Sequence, residues 1–324
     1  MSWVAANRSF AVARVVAVAV VAAFANPAHA GKPRGSRRSD PRTGRLAPAV
    51  AELVKAAKRA DRGALGRAAD RLGPARLAEA VTSPAPGVAE AALAAVPLAR
   101  GGVRLLAAVT AEVAALDPAR AAAAATAIGG LLDAAAPSEL EDWDVPPDVV
   151  ARACGALPVL AWRAGAPVAT RLAALDAIAT SLPTCGVSTE LMGLARDPSP
   201  AIRRAAALVG SGGEWRETAL RAAIADGDKG VSAAGTAAAC RADARAGRGA
   251  KPDPAALASA RALAAAPATP PEDAVEMLDC LAAAGTPPDR ALLDQLQRRP
   301  ASPLRDRAVE LGAGGAGDAR AKPQ

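Results

Sequence analysis

Histidine and the large aromatic residues are scarce in this chain, and their scarcity excludes several kinds of active site. The 324 residues include one histidine, two phenylalanines and no tyrosine, and all three of these rings lie before residue 31. Nucleophilic sites of the Ser-His-Asp and Cys-His kinds need an imidazole base, and the common zinc hydrolase sites need imidazole ligands. The sequence also lacks the Gly-x-x-x-x-Gly-Lys-Ser/Thr loop that holds phosphates. We therefore expect a protein that is not an enzyme and that has no catalytic residue, cofactor or metal site.

Bulky side chains for a single large core are missing as well. Hydrophobic residues make up 52% of the chain and aromatic residues only 2%, because most of the hydrophobic residues are alanine, leucine and valine. Alanine has the best helix propensity and, being small, lets helices approach closely. The composition therefore favours many closely packed helices over one large globular core. Trp162 and Trp215 lie in helical segments, where we expect them to fill small cores.

The first thirty residues have the pattern of a signal peptide. Arg8 and Arg14 precede an apolar run over residues 15–25, and Ala28 and Ala30 are the small residues that signal peptidase requires before its cut. The apolar run is far shorter than the ~20 residues that a membrane span needs. We expect residues 1–30 to be cleaved off, leaving an exported protein, periplasmic or extracellular, without a membrane span.

Positive charge is concentrated early in the remaining chain. Residues 31–76 hold thirteen Lys and Arg against four Asp and Glu, whereas the whole chain has a formal charge of only +7. We expect residues 31–45 to form a disordered basic linker and residues 312–324 to form a disordered Gly-rich tail. We interpret the basic stretch from Lys55 to Arg76 as the solvated face of a capping repeat, and weak contact of the basic N-terminal arm (31–76) with an anionic envelope surface is the alternative. Nucleic acid is not an expected partner, because the basic residues are not spread over a folded face that also carries aromatic rings.

One turn pattern recurs between residues 46 and 311. It is clearest over residues 197–206, which read Asp-Pro-Ser-Pro-Ala-Ile-Arg-Arg-Ala-Ala, and related segments begin 114 residues earlier, 29 residues later and 102 residues later. Two of these shifts are close to three units of about 34 to 38 residues, the period of helical repeat arrays. In each copy, Asp, Ser, Pro and Gly residues end one helix and cap the next. Such helix pairs stack, because one pair cannot bury its apolar face alone.

The segment 197–206 resembles the turn between the helices of HEAT repeats, a family of armadillo-like α-solenoids. The resemblance implies an all-α fold: a right-handed superhelical solenoid of about seven antiparallel helix pairs over residues 46–311. It implies structural roles in the repeat turns for Asp197, Pro198, Arg203 and Asp226. In the family, the aspartate of the turn and the arginine of the second helix link successive repeats. Ser232 stands where that arginine would follow Asp226, so we do not expect a continuous ladder.

The four cysteines, Cys154, Cys185, Cys240 and Cys280, all follow the expected cleavage site. An even number of cysteines in an exported protein favours disulfides. Three connectivities are possible, and we favour pairs of sequence neighbours, because Cys240 and Cys280 are one repeat period apart and the other two fall in one repeat. Four buried thiols among alanine-rich helices are the alternative. A zinc site is not favoured, because the chain has no Cys-x-x-Cys pair.

One segment departs from the repeat pattern, between Pro137 and Pro147. We interpret it as a longer loop between repeats and as a candidate binding loop, formed by Glu139, Glu141, Asp142, Trp143, Asp144 and Asp148. Clustered carboxylates serve acid–base chemistry or bind Ca²⁺, but this spacing fits no calcium-binding loop. The alternative is a solvated acidic turn whose tryptophan packs over the helices.

These features together predict an exported, non-catalytic scaffold that binds a protein partner along its solenoid surface. One alternative is a protein that assists an enzyme, since some HEAT-like proteins attach or detach prosthetic groups. Another is a passive structural component of an envelope complex. A stoichiometric protein partner would favour the scaffold, and a bound chromophore or turnover would favour the first alternative.

Overall fold

The computed structural model describes residues 46–133, 136–186, 189–210, 216–245, 253–283 and 290–318. All regular secondary structure in these ranges is helical, which confirms the all-α fold class. The chain divides into two compact units, Met1–Gly186 and Val187–Gln324. The expected signal peptide (1–30), the expected basic linker (31–45) and Trp215 lie outside the described residues. Within the described ranges, no helix is both long enough and apolar enough to cross a membrane.

The described part of the first unit is built from α-helices and two short 3₁₀ helices. In chain order these are α1 (Leu46–Lys58), α2 (Arg62–Val81), α3 (Val88–Ala95), the 3₁₀ helices Val96–Leu98 and Gly102–Leu105, α4 (Leu106–Glu112), α5 (Pro118–Leu131), α6 (Ala136–Asp142), α7 (Pro147–Trp162) and α8 (Val168–Cys185).

Short polar residues start several of these helices, as the turn pattern predicts. Asp61 and Asp117 are the N-caps of α2 and α5, and each carboxylate accepts a hydrogen bond of 2.9 Å from a backbone N–H in the first turn. Pro118 follows directly at the start of α5, where a backbone N–H would have no helical partner. Helix α2 is kinked near its middle, because Gly73 has a φ of 71° and Pro74 follows it.

Helices that lie two or three apart in the chain contact each other in the first unit. Helices α1, α3, α5 and α8 contact one another in that order, and α2, α4 and α7 do the same. The two sets also contact each other, because α3 packs on α2, α5 on α4, and α8 on α7. Gly129 lets α5 and α8 approach closely, since a Cβ atom there would lie 2.8 Å from the Cα of Ala177.

The described part of the second unit repeats this arrangement. It contains the 3₁₀ helix Thr189–Arg196 and the helices α9 (Pro200–Gly210), α10 (Arg216–Ile224), α11 (Lys229–Arg245), α12 (Pro254–Ala265), α13 (Pro271–Ala283), α14 (Arg290–Gln297) and α15 (Pro303–Asp318). Helices α9, α11, α13 and α15 contact one another in that order, and the last three also pack on α10, α12 and α14. The core between them includes Leu263, Met277, Leu278, Leu281 and Leu296.

Two segments that we expected to be irregular contain helix. Residues 137–147 include α6, because the residues Ser-Glu-Leu-Glu that follow Pro137 suit the first turn and body of a helix. The expected tail from residue 312 begins as helix, since α15 continues to Asp318. No proline interrupts the sequence between Pro303 and Pro323, and alanines separate most of its glycines.

Trp162 does not fill a core, and that expectation was wrong. It is the last residue of α7 and is 43% exposed.

Candidate functional site

A cleft of about 370 Å³ opens in the first unit, where α2, α5 and α6 surround the turn between the two 3₁₀ helices. Four charged residues line it: Asp70 of α2, Arg100 of the turn, Asp133 just after α5, and Glu139 of α6. Three of the four are carboxylates. We call this feature the acidic cleft.

The wall formed by the turn depends on close backbone packing. A Cβ atom at Gly102 would lie 2.0 Å from the carbonyl oxygen of Val96, so only glycine fits there. Gly130 of α5 faces Pro97 in a similar way, since a Cβ atom at Gly130 would lie 3.0 Å from the Cβ of Pro97. The two glycines therefore allow the turn to sit against α5 and to form one side of the cleft.

Asp70 fixes the turn to α2. Its carboxylate oxygen Oδ1 accepts a hydrogen bond of 3.0 Å from the backbone N–H of Arg100. Both residues are exposed, and both line the same cleft. The negative charge of Asp70 is thus held at a defined place on the cleft wall.

Asp133 connects the cleft to the far end of α8. Its carbonyl oxygen accepts a hydrogen bond of 3.3 Å from the hydroxyl group of Thr184. The same oxygen accepts the N–H of Ala136 at 3.1 Å, at the start of α6. The short helix that carries Glu139 is therefore attached to the last turn of α8.

Trp143 packs beside the cleft. A Cβ atom at Gly101 would lie 3.0 Å from the tryptophan ring, and the guanidinium carbon of Arg104 lies 5.4 Å from the ring centroid, a cation–π distance. The side chain remains 38% exposed. Because Gly101 lies between the cleft residues Arg100 and Gly102, the exposed ring flanks the opening.

The other residues of the candidate binding loop are not gathered into a metal site. Glu141, Asp142 and Asp144 are exposed, and Asp148 forms an exposed ion pair of 2.8 Å with Arg152 one turn along α7. In the part of the chain that the structure describes, no group of three or more His, Cys, Asp and Glu residues is placed to hold a metal ion. Of the six predicted loop residues, the structure brings Glu139 into the cleft and Trp143 to its edge.

The cysteines lie at disulfide distance in the two pairs that the repeat period favours. Cys154 of α7 and Cys185 of α8 have Cα atoms 5.5 Å apart, and so do Cys240 of α11 and Cys280 of α13. Each unit thus contains one pair. The first pair joins two successive helices, and the second joins helices that are two apart in the chain.

The turn residues singled out by the repeat pattern form a connected group in the second unit. The Asp197 carboxylate accepts the N–H of Ser199 at 2.9 Å, next to Pro198. Arg203 donates to the carbonyl oxygen of Asp197 at 2.9 Å and makes two hydrogen bonds, of 2.7 and 2.9 Å, to the carboxylate of Asp226. These hydrogen bonds from Arg203 lower the pKa of Asp226, although partial burial opposes the shift. The group joins two successive turns.

A second structural use of arginine has no clear signal in the sequence. Arg120 donates to the carbonyl oxygen of Val81 at 3.1 Å, and Arg163 donates to that of Val113 at 3.0 Å. These carbonyls lie at the ends of α2 and α4, where the last carbonyls of a helix lack partners within the helix. Each of these arginines lies near a turn that comes later in the chain than the helix end it binds. The sequence contains many arginines near turns, so this position alone does not single out Arg120 and Arg163.

The sequence matches no protein-family model, and no curated protein shows significant similarity to it. Function is therefore inferred from the acidic cleft. Carboxylates accept hydrogen bonds from ammonium and guanidinium groups, and the ring of Trp143, which is 38% exposed, already holds one cation, the guanidinium group of Arg104. This combination suits a positively charged ligand.

Proposed function

We propose that this protein is an exported, non-catalytic binding protein whose acidic cleft holds a positively charged segment of a protein partner. The observation that carries the proposal is the meeting of Asp70, Asp133 and Glu139 around one opening, with Trp143 at its edge.

The charges around the cleft favour a cationic ligand. Among the described residues that line the cleft, three are acidic and Arg100 is the one cationic residue, so acidic groups outnumber basic ones in the lining. Exposed Glu141 and Asp142 on α6 add to it, although Arg104 beside Trp143 offsets part of this charge. Complementary charge of this kind speeds the encounter of partners and selects among them.

The size of the cleft favours single side chains of a partner over a folded surface. Its volume of about 370 Å³ lies at the small end of the roughly 300–1,000 Å³ of typical ligand sites. A long lysine or arginine side chain can enter such an opening and place its charged end among the carboxylates, while its apolar stem lies along the ring of Trp143. The partner is therefore a protein with an exposed basic segment.

We further propose that the helix pairs stack as a HEAT-like solenoid of about seven pairs. Two observations support this proposal. Within each unit, helices contact those two or three positions away as well as their neighbours. Arg203 connects the carbonyl oxygen of Asp197 to the carboxylate of the next turn, Asp226, as the linking residues of that family do.

The two cysteine pairs support the export proposal. Disulfides persist in oxidising compartments and are rare where thiols are kept reduced. The signal-peptide pattern of residues 1–30 points to the same compartments.

The proposal is tested by titrating the oxidised, full-length protein into a fluorescent hexa-arginine peptide and following fluorescence anisotropy. The double variant D70N/E139Q neutralises two cleft charges without changing side-chain size. We expect its affinity for the peptide to fall by about tenfold or more, with a smaller dependence on salt concentration.

The matched control is the double variant E217Q/D306N, which removes two exposed carboxylates from the second unit. It should bind the peptide as the wild-type protein does, and a hexa-glutamate peptide should not bind. Equal loss of affinity in both double variants would mean that the peptide responds only to the net charge of the protein. That result would contradict the proposed role of the cleft.

A further inference from the structure

The acidic cleft is connected to a disulfide through the last turn of α8. Cys185 is the final residue of α8, and its disulfide partner Cys154 lies on α7. The neighbouring residue, Thr184, donates its hydroxyl hydrogen to the carbonyl oxygen of Asp133, a cleft residue. The same carbonyl accepts the N–H of Ala136, from which α6 and Glu139 continue. One covalent bond and one hydrogen bond thus connect α7 to the cleft wall.

The last turn of α8 contains a residue that cannot donate a backbone hydrogen bond. Pro183 lies in this turn and has no N–H to donate, and its ring crowds the carbonyl one turn earlier. The helix ends at Cys185. The next residue, Gly186, donates its N–H to the carbonyl oxygen of Leu182 at 3.0 Å, and its φ of 70° turns the backbone out of the helical conformation. A helix end that lacks a backbone hydrogen bond opens more readily than the core of the helix.

The two disulfides differ in their access to solvent. Cys154 and Cys185 are half-buried, whereas Cys240 and Cys280 are each only 6% exposed. Thiol–disulfide exchange requires a thiolate to reach one of the sulfur atoms, so the first pair is the more accessible. The second pair lies on α11 and α13 of the second unit, which contribute no residue to the lining of the cleft.

We infer that the Cys154–Cys185 disulfide is a redox switch for the acidic cleft, so that its reduction lowers the affinity of the cleft for a cationic ligand. This inference rests on the proposed function. In the oxidised state the disulfide holds the last turn of α8, and Thr184 holds Asp133 and the start of α6. In the reduced state the turn opens, and Asp133 and Glu139 lose their fixed spacing.

The chemistry is ordinary exchange with a dithiol reductant. One thiolate of the reductant attacks one cysteine sulfur, breaks the S–S bond and forms a mixed disulfide, and the other cysteine leaves as a thiolate. The second thiol of the reductant then attacks the mixed disulfide and releases the first cysteine. The protein gains two thiols, with their two electrons and two protons, and the reductant becomes a cyclic disulfide.

The first arm of the test compares two double variants in the hexa-arginine titration. C154S/C185S removes the switch, and C240S/C280S is the matched control in the other unit. We expect C154S/C185S to bind the peptide about three- to tenfold more weakly than the oxidised wild type, and C240S/C280S to bind it equally well. With limiting dithiothreitol, alkylation and peptide mapping should label Cys154 and Cys185 before Cys240 and Cys280.

The second arm keeps both disulfides and changes only Thr184. T184V removes the hydroxyl group and should lower the affinity by a similar factor, whereas T184S keeps the hydroxyl and should restore it. T180V is the control in the same helix, because the Thr180 hydroxyl bonds only within α8, to the carbonyl of Asp176 at 2.9 Å. This arm decides the question if C154S/C185S does not fold.

The outcomes separate the inference from the proposed function. If T184V binds hexa-arginine with wild-type affinity, and C154S/C185S does so too provided that it folds, the switch is overturned. A loss of affinity in D70N/E139Q would still show that the cleft binds the peptide. Failure of the oxidised wild type to bind hexa-arginine would overturn the proposed function itself. Equal losses in C154S/C185S and C240S/C280S would assign the disulfides a role in general stability and contradict the switch.

Discussion

Arg203 binds Asp226 through two hydrogen bonds, from Nε at 2.7 Å and from Nη2 at 2.9 Å. The side chains are 18% and 11% exposed, so this ion pair is better shielded from water than a surface pair. Asp226 also accepts the N–H of Asp228 at 2.8 Å, at the start of the turn before α11. The pair therefore joins α9 to the next turn of the second unit.

Replacement of Asp226 by asparagine should destabilise this part of the second unit. Asparagine keeps an acceptor but removes the charge that Arg203 binds. We expect faster amide hydrogen exchange over residues 200–232 and a melting temperature lower by a few degrees. The control is E217Q, because the Glu217–Arg221 pair is exposed and such pairs contribute little. Unchanged exchange in D226N would show that the pair is not structural.

The same pair predicts how stability changes with pH. The hydrogen bonds from Arg203 hold the pKa of Asp226 below its ordinary value of 3.8, so the folded state binds the proton less readily than the unfolded state. The stabilising contribution is therefore complete above the ordinary value and is lost as the pH falls through the folded pKa. Between these values the difference in stability between wild type and D226N should shrink as the pH is lowered. A difference that stays constant down to the acid transition would contradict the account.

The cleft wall should not tolerate a methyl group at position 102. G102A places a Cβ atom 2.0 Å from the carbonyl oxygen of Val96, which forces the turn away from the 3₁₀ helix Val96–Leu98. Overpacking of this kind costs roughly 1–3 kcal/mol, so chemical denaturation should show a less stable first unit. The control is G155A in α7, where a Cβ atom meets nothing within 4 Å. There the alanine should be neutral or stabilising by up to ~1 kcal/mol.

Peptide mapping without reductant tests the cysteine pairs directly. We expect cross-linked peptides that contain Cys154 with Cys185 and Cys240 with Cys280, whose sequence separations are 31 and 40 residues. Loops of this size give a stabilisation on the order of 3–4 kcal/mol per bond in the chain-entropy model, so reduction should lower the melting temperature. Four free thiols in protein from an oxidising compartment, or another pairing, would contradict the structure.

The local features of the fold could be predicted from the sequence, because they depend on neighbouring residues. Asp117 and Pro118 start a helix for reasons that lie within one turn. The repeat period placed Cys240 and Cys280 on helices that contact each other. The start of the helical region at Leu46 could be read from the end of the basic, Pro- and Gly-containing stretch before it.

The candidate site could be predicted only in part. The cluster of carboxylates around a tryptophan marks Glu139 and Trp143 in the sequence, and both lie at the cleft. Asp70 and Arg100 were not found, because they are 30 residues apart and meet only through the packing of the turn against α2. Thr184 gives no local signal at all, since its partner Asp133 is 51 residues earlier in the chain.

The export proposal makes one simple prediction about the N-terminus. Protein purified from its native host should begin at Gly31, because Ala28 and Ala30 provide the small side chains that signal peptidase requires. Edman sequencing or intact-mass measurement checks this. An intact Met1 end in a membrane fraction would contradict the signal-peptide interpretation.

Site-specific photo-cross-linking tests the central claim most directly. In one variant, a photoreactive phenylalanine analogue replaces Trp143 at the edge of the cleft. In the control variant, the same analogue replaces Val309, which lies in the second unit and is 48% exposed. Both variants are irradiated in the native host. The account predicts that position 143 cross-links to a protein segment rich in lysine and arginine. The yield of this cross-link should fall when D70N/E139Q is added, and position 309 should give a lower yield. Cross-links at position 143 only to lipid, or to segments without basic residues, would contradict it.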